Sequence, residues 1–175
     1  MAAIRTVRTS KKAQEIAVSL LSDPEFLGAE VPIGRLSSIP IYHCDPESFD
    51  QPQDCDRIGW RYTFSGAAKA VLLDFHKTAS DPELTQVTYD GSAFFLGLIR
   101  STEAVYSLKS KSKFAPRLLI LPQCSWACIW YNSNNSDDVF SWSRSGELHD
   151  RAAASEHVRA LLEKTRNTRF LGESV

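Results

Sequence analysis

Most of the short motifs that identify an enzyme are missing from this 175-residue chain. Its eight glycines are scattered, and no Gly-x4-Gly-Lys run offers backbone N–H groups to a phosphate. No Gly-x-Ser-x-Gly elbow marks a hydrolase serine. His-x-Glu occurs nowhere, which excludes the zinc-dependent nucleobase deaminases. The spaced acidic pattern of a calcium loop is absent too, so Asn132 to Asp138 reads as a hairpin loop. Charge of one sign is also lacking: 20 Lys and Arg face 21 Asp and Glu. A pI near 6.4 leaves none of the basic excess with which nucleic-acid-binding domains hold phosphates. Long apolar runs are absent. The segment IAVSLL, 16 to 21, is too short to cross a bilayer, and no apolar core follows Arg5, Arg8, Lys11 and Lys12 as in a signal peptide. These absences point to a cytoplasmic protein with no membrane partner.

What is present is ordinary globular composition, 43% hydrophobic and 23% charged, which excludes a wholly disordered chain. The length suits one domain with a core large enough to need no staples. Cys44, Cys55, Cys124 and Cys128 therefore read as reduced thiols.

The first helix is the clearest element. Ala13, Ile16, Ala17, Leu20 and Leu21 fall on one stripe, and Thr9 or Ser10 supplies a hydroxyl cap. Asp-Pro-Glu recurs at 23, 45 and 81; each copy fits a short helix start, with Asp capping and Pro in the first turn. From Gly59 the period changes to two. Gly59–Phe64, Ala70–Phe75, Leu84–Tyr89, Leu118–Leu121, Ser125–Tyr131 and Val139–Ser143 read as strands. Asp90-Gly91 suits a hairpin turn. The run SAFFLGLIR, 92 to 100, fits a buried strand or part of a helix reaching Tyr106. The turn before it and Gly97 within it favour strand, and Glu103–Leu108 reads as another. Val158, Leu161 and Leu162 mark a closing helix capped by Asp150 or Ser155. The expected architecture is α+β: a mainly antiparallel curled sheet, or a partly open barrel, packed by an N-terminal and a C-terminal helix. Residues 1–8 form a flexible arm, 9–165 the domain and 166–175 a frayed tail.

Several side chains invite a chemical reading. In a strand from Ser125 to Tyr131, Trp126, Cys128 and Trp130 share one apolar face and Ala127, Ile129 and Tyr131 the other, as in a strand covered on both sides. Positions four apart on a strand lie about 13 Å apart, too far for one tetrahedral zinc to take Cys124 and Cys128. No metal or cofactor is expected. Cys124, at the bend after Pro122-Gln123, is the candidate nucleophile, but none of His43, His76, His149 or His157 is marked as its base. Asp74 and His76 share a strand face and can form an Asp–His pair. Lys109, Lys111, Lys113 and Arg117 make a basic segment in which Phe114 is the only aromatic, a poor stacking platform for nucleic acid. Trp60, Tyr62 and Trp142 belong to an aromatic complement larger than the core requires, and such residues favour protein interfaces.

The order of a leading helix, a strand-rich middle with aromatics near turns, and a closing helix after FSWSRSGEL resembles the SMI1/KNR4-like immunity proteins. That resemblance implies a non-enzymatic module that binds another protein, as in toxin neutralisation. Two alternatives stand beside it: a small enzyme or ligand binder using Cys124 or Asp74 with His76, and a nucleic-acid module using the 109–117 segment.

Overall fold

A computed structural model describes residues 2–5, 10–23, 35–49, 55–65, 70–79, 81–89 and 92–172. The fold is α+β. One open, mostly antiparallel sheet of eight strands carries three helices among the described residues. The strands are β1 (Ala3–Ile4), β2 (Arg35–His43), β3 (Asp56–Ser65), β4 (Ala70–Lys77), β5 (Pro82–Thr88), β6 (Lys113–Leu121), β7 (Trp126–Ser133) and β8 (Val139–Ser141). The helices are α1 (Lys11–Leu21), α2 (Ser92–Tyr106) and α3 (Arg151–Gly172). Spatial order is β5-β4-β3-β2-β6-β7-β8, with β1 beside β6. The ladders of β6 with β1 and with β2 are parallel, and the others are antiparallel.

The sequence pattern does not reveal β2. Pro40 lies inside it, and proline withholds a ladder N–H. The strand is nonetheless central. It pairs with β3 along its whole length but meets β6 only at Ile41–His43, just past the proline. Opposite the bulge between Ile41 and Tyr42 lies Gly59, where a Cβ would stand 1.8 Å from the Phe75 carbonyl oxygen. Only glycine fits there.

Both sheet faces are covered. On one, α1 lays Ala13, Ala17 and Leu21 over Trp60, Tyr62, Leu73 and Phe75. The small residues let the helix approach closely. Ser10 Oγ accepts from the Ala13 N–H at 3.2 Å, and the Tyr62 hydroxyl donates to the Ser10 carbonyl at 3.0 Å. Farther along the same face, α3 sets Ala154 and Val158 on Leu119, Leu121, Cys128 and Trp130. The other face belongs to α2, whose Phe94, Leu98 and Val105 pack near Phe114, Ile129 and Tyr131. Ser101 Oγ and Thr102 Oγ1 lie 2.7 and 3.0 Å from the Tyr131 hydroxyl, which fixes the helix in register.

Several expectations are corrected. The sheet is packed by three helices, and α2 occupies the stretch read as two strands, 92–100 and 103–108. Phe94, Leu98, Ser101 and Val105 recur at helical spacing, a pattern masked by apolar neighbours on every side. Asp90 and Gly91 lie outside the described residues, and the chain leaving them enters a helix rather than a hairpin partner. Of the Asp-Pro-Glu copies, Asp45 caps a 3-10 turn at Pro46–Ser48 by accepting from the Glu47 N–H at 2.9 Å. The copy at 81 instead opens the edge strand β5, a position that tolerates proline. Pro24 and Glu25 lie outside the described residues. Cys44 and Cys55 are joined as a disulfide, so only Cys124 and Cys128 are free thiols. Within 1–8, Ala3 and Ile4 pair with Lys113 and Phe114; within 166–175, α3 continues to Gly172.

Candidate interaction surface

The cysteine at the bend is half-buried in a 3-10 turn, Pro122–Cys124, packed against the cluster under α3. Burial pushes the Cys124 thiol up, the wrong direction for a nucleophile. Among the described residues no hydrogen bond joins it to an imidazole. Cys128 is fully buried beneath α3, and desolvation raises its thiol further.

Asp74 and His76 do share a face, but their partners differ. Asp74 accepts from Arg61 Nε at 2.7 Å and Arg61 Nη2 at 2.6 Å, a bidentate pair in a nearly buried setting. His76 points to solvent at the end of β4. The carboxylate orients a guanidinium, not an imidazole.

The three expected interface aromatics separate. Trp60 and Tyr62 are core residues beneath α1, with 9% and 1% of their surface exposed. Trp142 is half-buried between two imidazoles, His149 at 3.9 Å and His157 at 4.8 Å between ring centroids, both nearly parallel to it. In the basic segment, Lys109, Lys111 and Lys113 are exposed. Arg117 is not part of that strip. Its guanidinium lies over Tyr42 at 4.9 Å and Trp130 at 4.5 Å, and it donates to Asn132 Oδ1 at 2.9 Å. Burial, then the nearby Arg5 and Arg57, hold its proton less tightly than usual, with Tyr42 and Asp138 opposing.

The surface that stands out was not marked by the sequence reading. On α2, Leu96, Ile99 and Tyr106 are 43%, 38% and 49% exposed. They follow at i, i+3 and i+10, one outward stripe, with exposed Glu103 between the last two. Half-buried Phe95 flanks them. The outer sides of α1 and α3 are more polar: Lys11, Lys12, Gln14 and Glu15 face solvent on one beside a single exposed apolar side chain, Val18, and Glu156, Arg159, Glu163 and Lys164 on the other. Two exposed cations are tied to the outer part of α2: Arg100, on the helix itself, and Arg144, whose backbone it holds. Arg100 is fixed there by donating to the Arg144 carbonyl at 3.0 Å. The signal in the sequence was the 96–99–103–106 spacing, legible only once 92–106 is taken as helix. No helix among the described residues is long and apolar enough to cross a membrane, so the stripe is not part of a helical span. Comparison of the chain with protein-family models, with curated proteins and with solved structures finds no match.

Proposed function

We propose that the protein is a non-enzymatic binding module that docks another protein on the outer face of α2. The carrying observation is the line of Leu96, Ile99 and Tyr106 exposed on one helix, where α1 exposes a single large apolar side chain, Val18, and α3 none among its described residues. With less than half of each side chain left to bury, each contributes roughly 0.6–1.5 kcal/mol, so the stripe is the apolar centre of an interface that needs further contacts around it to meet the costs of association. The partner is a protein offering an apolar strip rimmed by carboxylates. Arg100 and Arg144 support that choice, and they disfavour a second copy of this chain, which would bring like charges together. An immunity-type role, with an acidic toxin as partner, is one form of this reading.

The raised Cys124 thiol and the engagement of Asp74 by Arg61 weigh against the enzymatic alternative. The separation of Arg117 from the exposed lysines weighs against the nucleic-acid one. The Cys44–Cys55 bridge weighs against the cytoplasmic location expected from the sequence, because disulfides persist mainly in oxidising compartments.

The test is affinity purification of the tagged full-length protein and its Leu96→Asp/Ile99→Asp variant from the source cells, with folding checked by circular dichroism. The reading expects a partner retained in stoichiometric amount by the parent, released by salt, and lost by the variant. Equal retention by both proteins, or a partner retained by neither, refutes it. A shift of the parent to dimer on size exclusion, absent in the variant, would instead assign the stripe to self-association.

A further inference from the structure

Behind the exposed stripe, on the sheet side of α2, a cleft of about 220 Å³ lies between the helix, the sheet and the segment following β8. Phe94 and Gly97 form its helical wall, and Leu118 and Ile129 its floor. A side chain at Gly97 would come within 3.1 Å of the Ser143 carbonyl oxygen, so helix and segment are already in close approach.

Polar side chains interrupt this apolar lining: Arg61, Arg144 and Ser141, with Ser143 beside them. Arg61 lies over the Phe94 ring at 4.8 Å. Asp74 occupies its Nε and one Nη2 hydrogen, leaving the Nη1 edge of a five-donor fork unused by that carboxylate. Arg144 stands exposed among the lining residues, and no carboxylate is among them. Ser141, 2% exposed, lines the cleft, and its Oγ has no hydrogen-bond partner among the described residues. A buried hydroxyl without a partner destabilises the empty protein and calls for an explanation.

We infer that this cleft binds a small organic carboxylate, a single ring or short chain as its apolar body, held by Arg61 and Arg144 with Ser141 hydrogen-bonding a polar atom. The size fits. An apolar cavity of about 150 Å³ accepts benzene, so 220 Å³ leaves room for a carboxylate as well. It is smaller than the roughly 300–1,000 Å³ of sites for drug-sized ligands. The sign of the charge follows from the lining. Arg61 and Asp74 cancel, and Arg144 leaves one net positive charge to meet one anion.

Benzoate, benzyl alcohol and benzylamine probe the site on the ¹⁵N-labelled full-length protein. Benzoate should shift the amides of Gly97, Ile129 and Ser141 saturably, and benzylamine should not. Arg144→Ala should weaken benzoate roughly threefold, the scale of an exposed ion pair, without changing benzyl alcohol. Ser141→Ala should act in opposite directions, raising the Tm of the free protein by roughly 2–4 °C while weakening benzoate. Three results would overturn the inference: no saturable shift by about 10 mM benzoate, where even a millimolar site would fill; shifts confined to residues outside the cleft; or equal binding of benzylamine. Arg144→Ala tests the charge even if Ser141→Ala proves neutral, and an Arg144→Ala protein that binds benzoate as tightly as the parent removes the carboxylate preference.

Discussion

Replacing Asp138 by alanine should destabilise the protein by about 4 kcal/mol, more than any other single change on the α3 side of the sheet outside the apolar core. Its carboxylate sits just after the Asn-rich turn of the β7–β8 hairpin, with 2% of the side chain exposed. Oδ1 accepts from the Ser133 N–H at 2.7 Å; Oδ2 accepts from Trp130 Nε1 at 3.0 Å and from Arg151 Nη2 at 2.6 Å. Alanine strands two buried donors, the indole and the Ser133 amide, at about 1–3 kcal/mol each. Arg151, 36% exposed at the start of α3, recovers solvation from water, so its share is at most about 1 kcal/mol. For a chain of this length the sum lowers Tm by about 8–16 °C. Urea unfolding followed by tryptophan fluorescence and by far-UV circular dichroism measures it. Arg151→Ala is the comparison: it removes the cation from the buried carboxylate but leaves both buried N–H groups paired, so it should cost less than Asp138→Ala. If Asp138→Ala costs no more than Arg151→Ala, the two buried donors do not depend on the carboxylate and the reasoning fails.

Burial, and secondarily the positive charge of His76, hold His43 below the ordinary imidazole value. The unfolded chain therefore takes up this proton first as pH falls. Stability should be full above about pH 7 and decline through about 6.5 towards the lower folded value; His43→Gln should flatten that part of a series of urea midpoints. In the unreduced, denatured protein two thiols should titrate with Ellman's reagent, and four after reduction. In the native protein both free thiols should alkylate slowly at neutral pH, Cys128 slower than Cys124, since burial raises each; a rapid single-site reaction would revive the nucleophile. Gly146 has φ +74°, and a Cβ there would lie 2.4 Å from Arg100 Cβ and 2.5 Å from the Ser101 amide nitrogen. Gly146→Ala should cost at least about 2 kcal/mol, by thermal denaturation, combining left-handed strain with a clash against α2.

The strands whose two faces meet different surroundings were legible. In β7 the alternation of Trp126, Cys128 and Trp130 against Ile129 and Tyr131 places the first set under α3 and the second under α2. Ser10 as cap and the Ala13–Ala17 stripe were equally plain, because capping and amphipathic burial are local. The disulfide was not legible. Cys44 and Cys55 meet only because β2 and β3 pair in register from His43 and Asp56, and that depends on a strand whose proline argues against it. The Arg61–Asp74 pair was hidden for the same reason: each is an ordinary charged residue until the β3–β4 register sets them opposite. Trp60 and Tyr62 read as interface residues because composition counts aromatics without saying which helix covers them.

The misreading of α2 and its uncovered stripe have one cause. A helix with one apolar face announces itself by its period; Phe94, Phe95, Leu96, Leu98 and Ile99 instead spread apolar side chains around the cylinder, and the period disappears. A helix that is apolar on several sides is normally buried on several sides. Here the sheet covers only the side bearing Phe94, Leu98 and Val105, so Leu96 and Ile99 are left to water. Their exposure is thus a consequence of the sequence and not an accident of packing. The two sides should also separate in experiment. Leu98→Ala, on the packed side, should lower stability by about 2 kcal/mol or more, since its burial is partial. Leu96→Ala should change urea stability by less than about 0.5 kcal/mol. If the two cost the same, Leu96 is packed in solution, and the stripe is not an open face awaiting a partner.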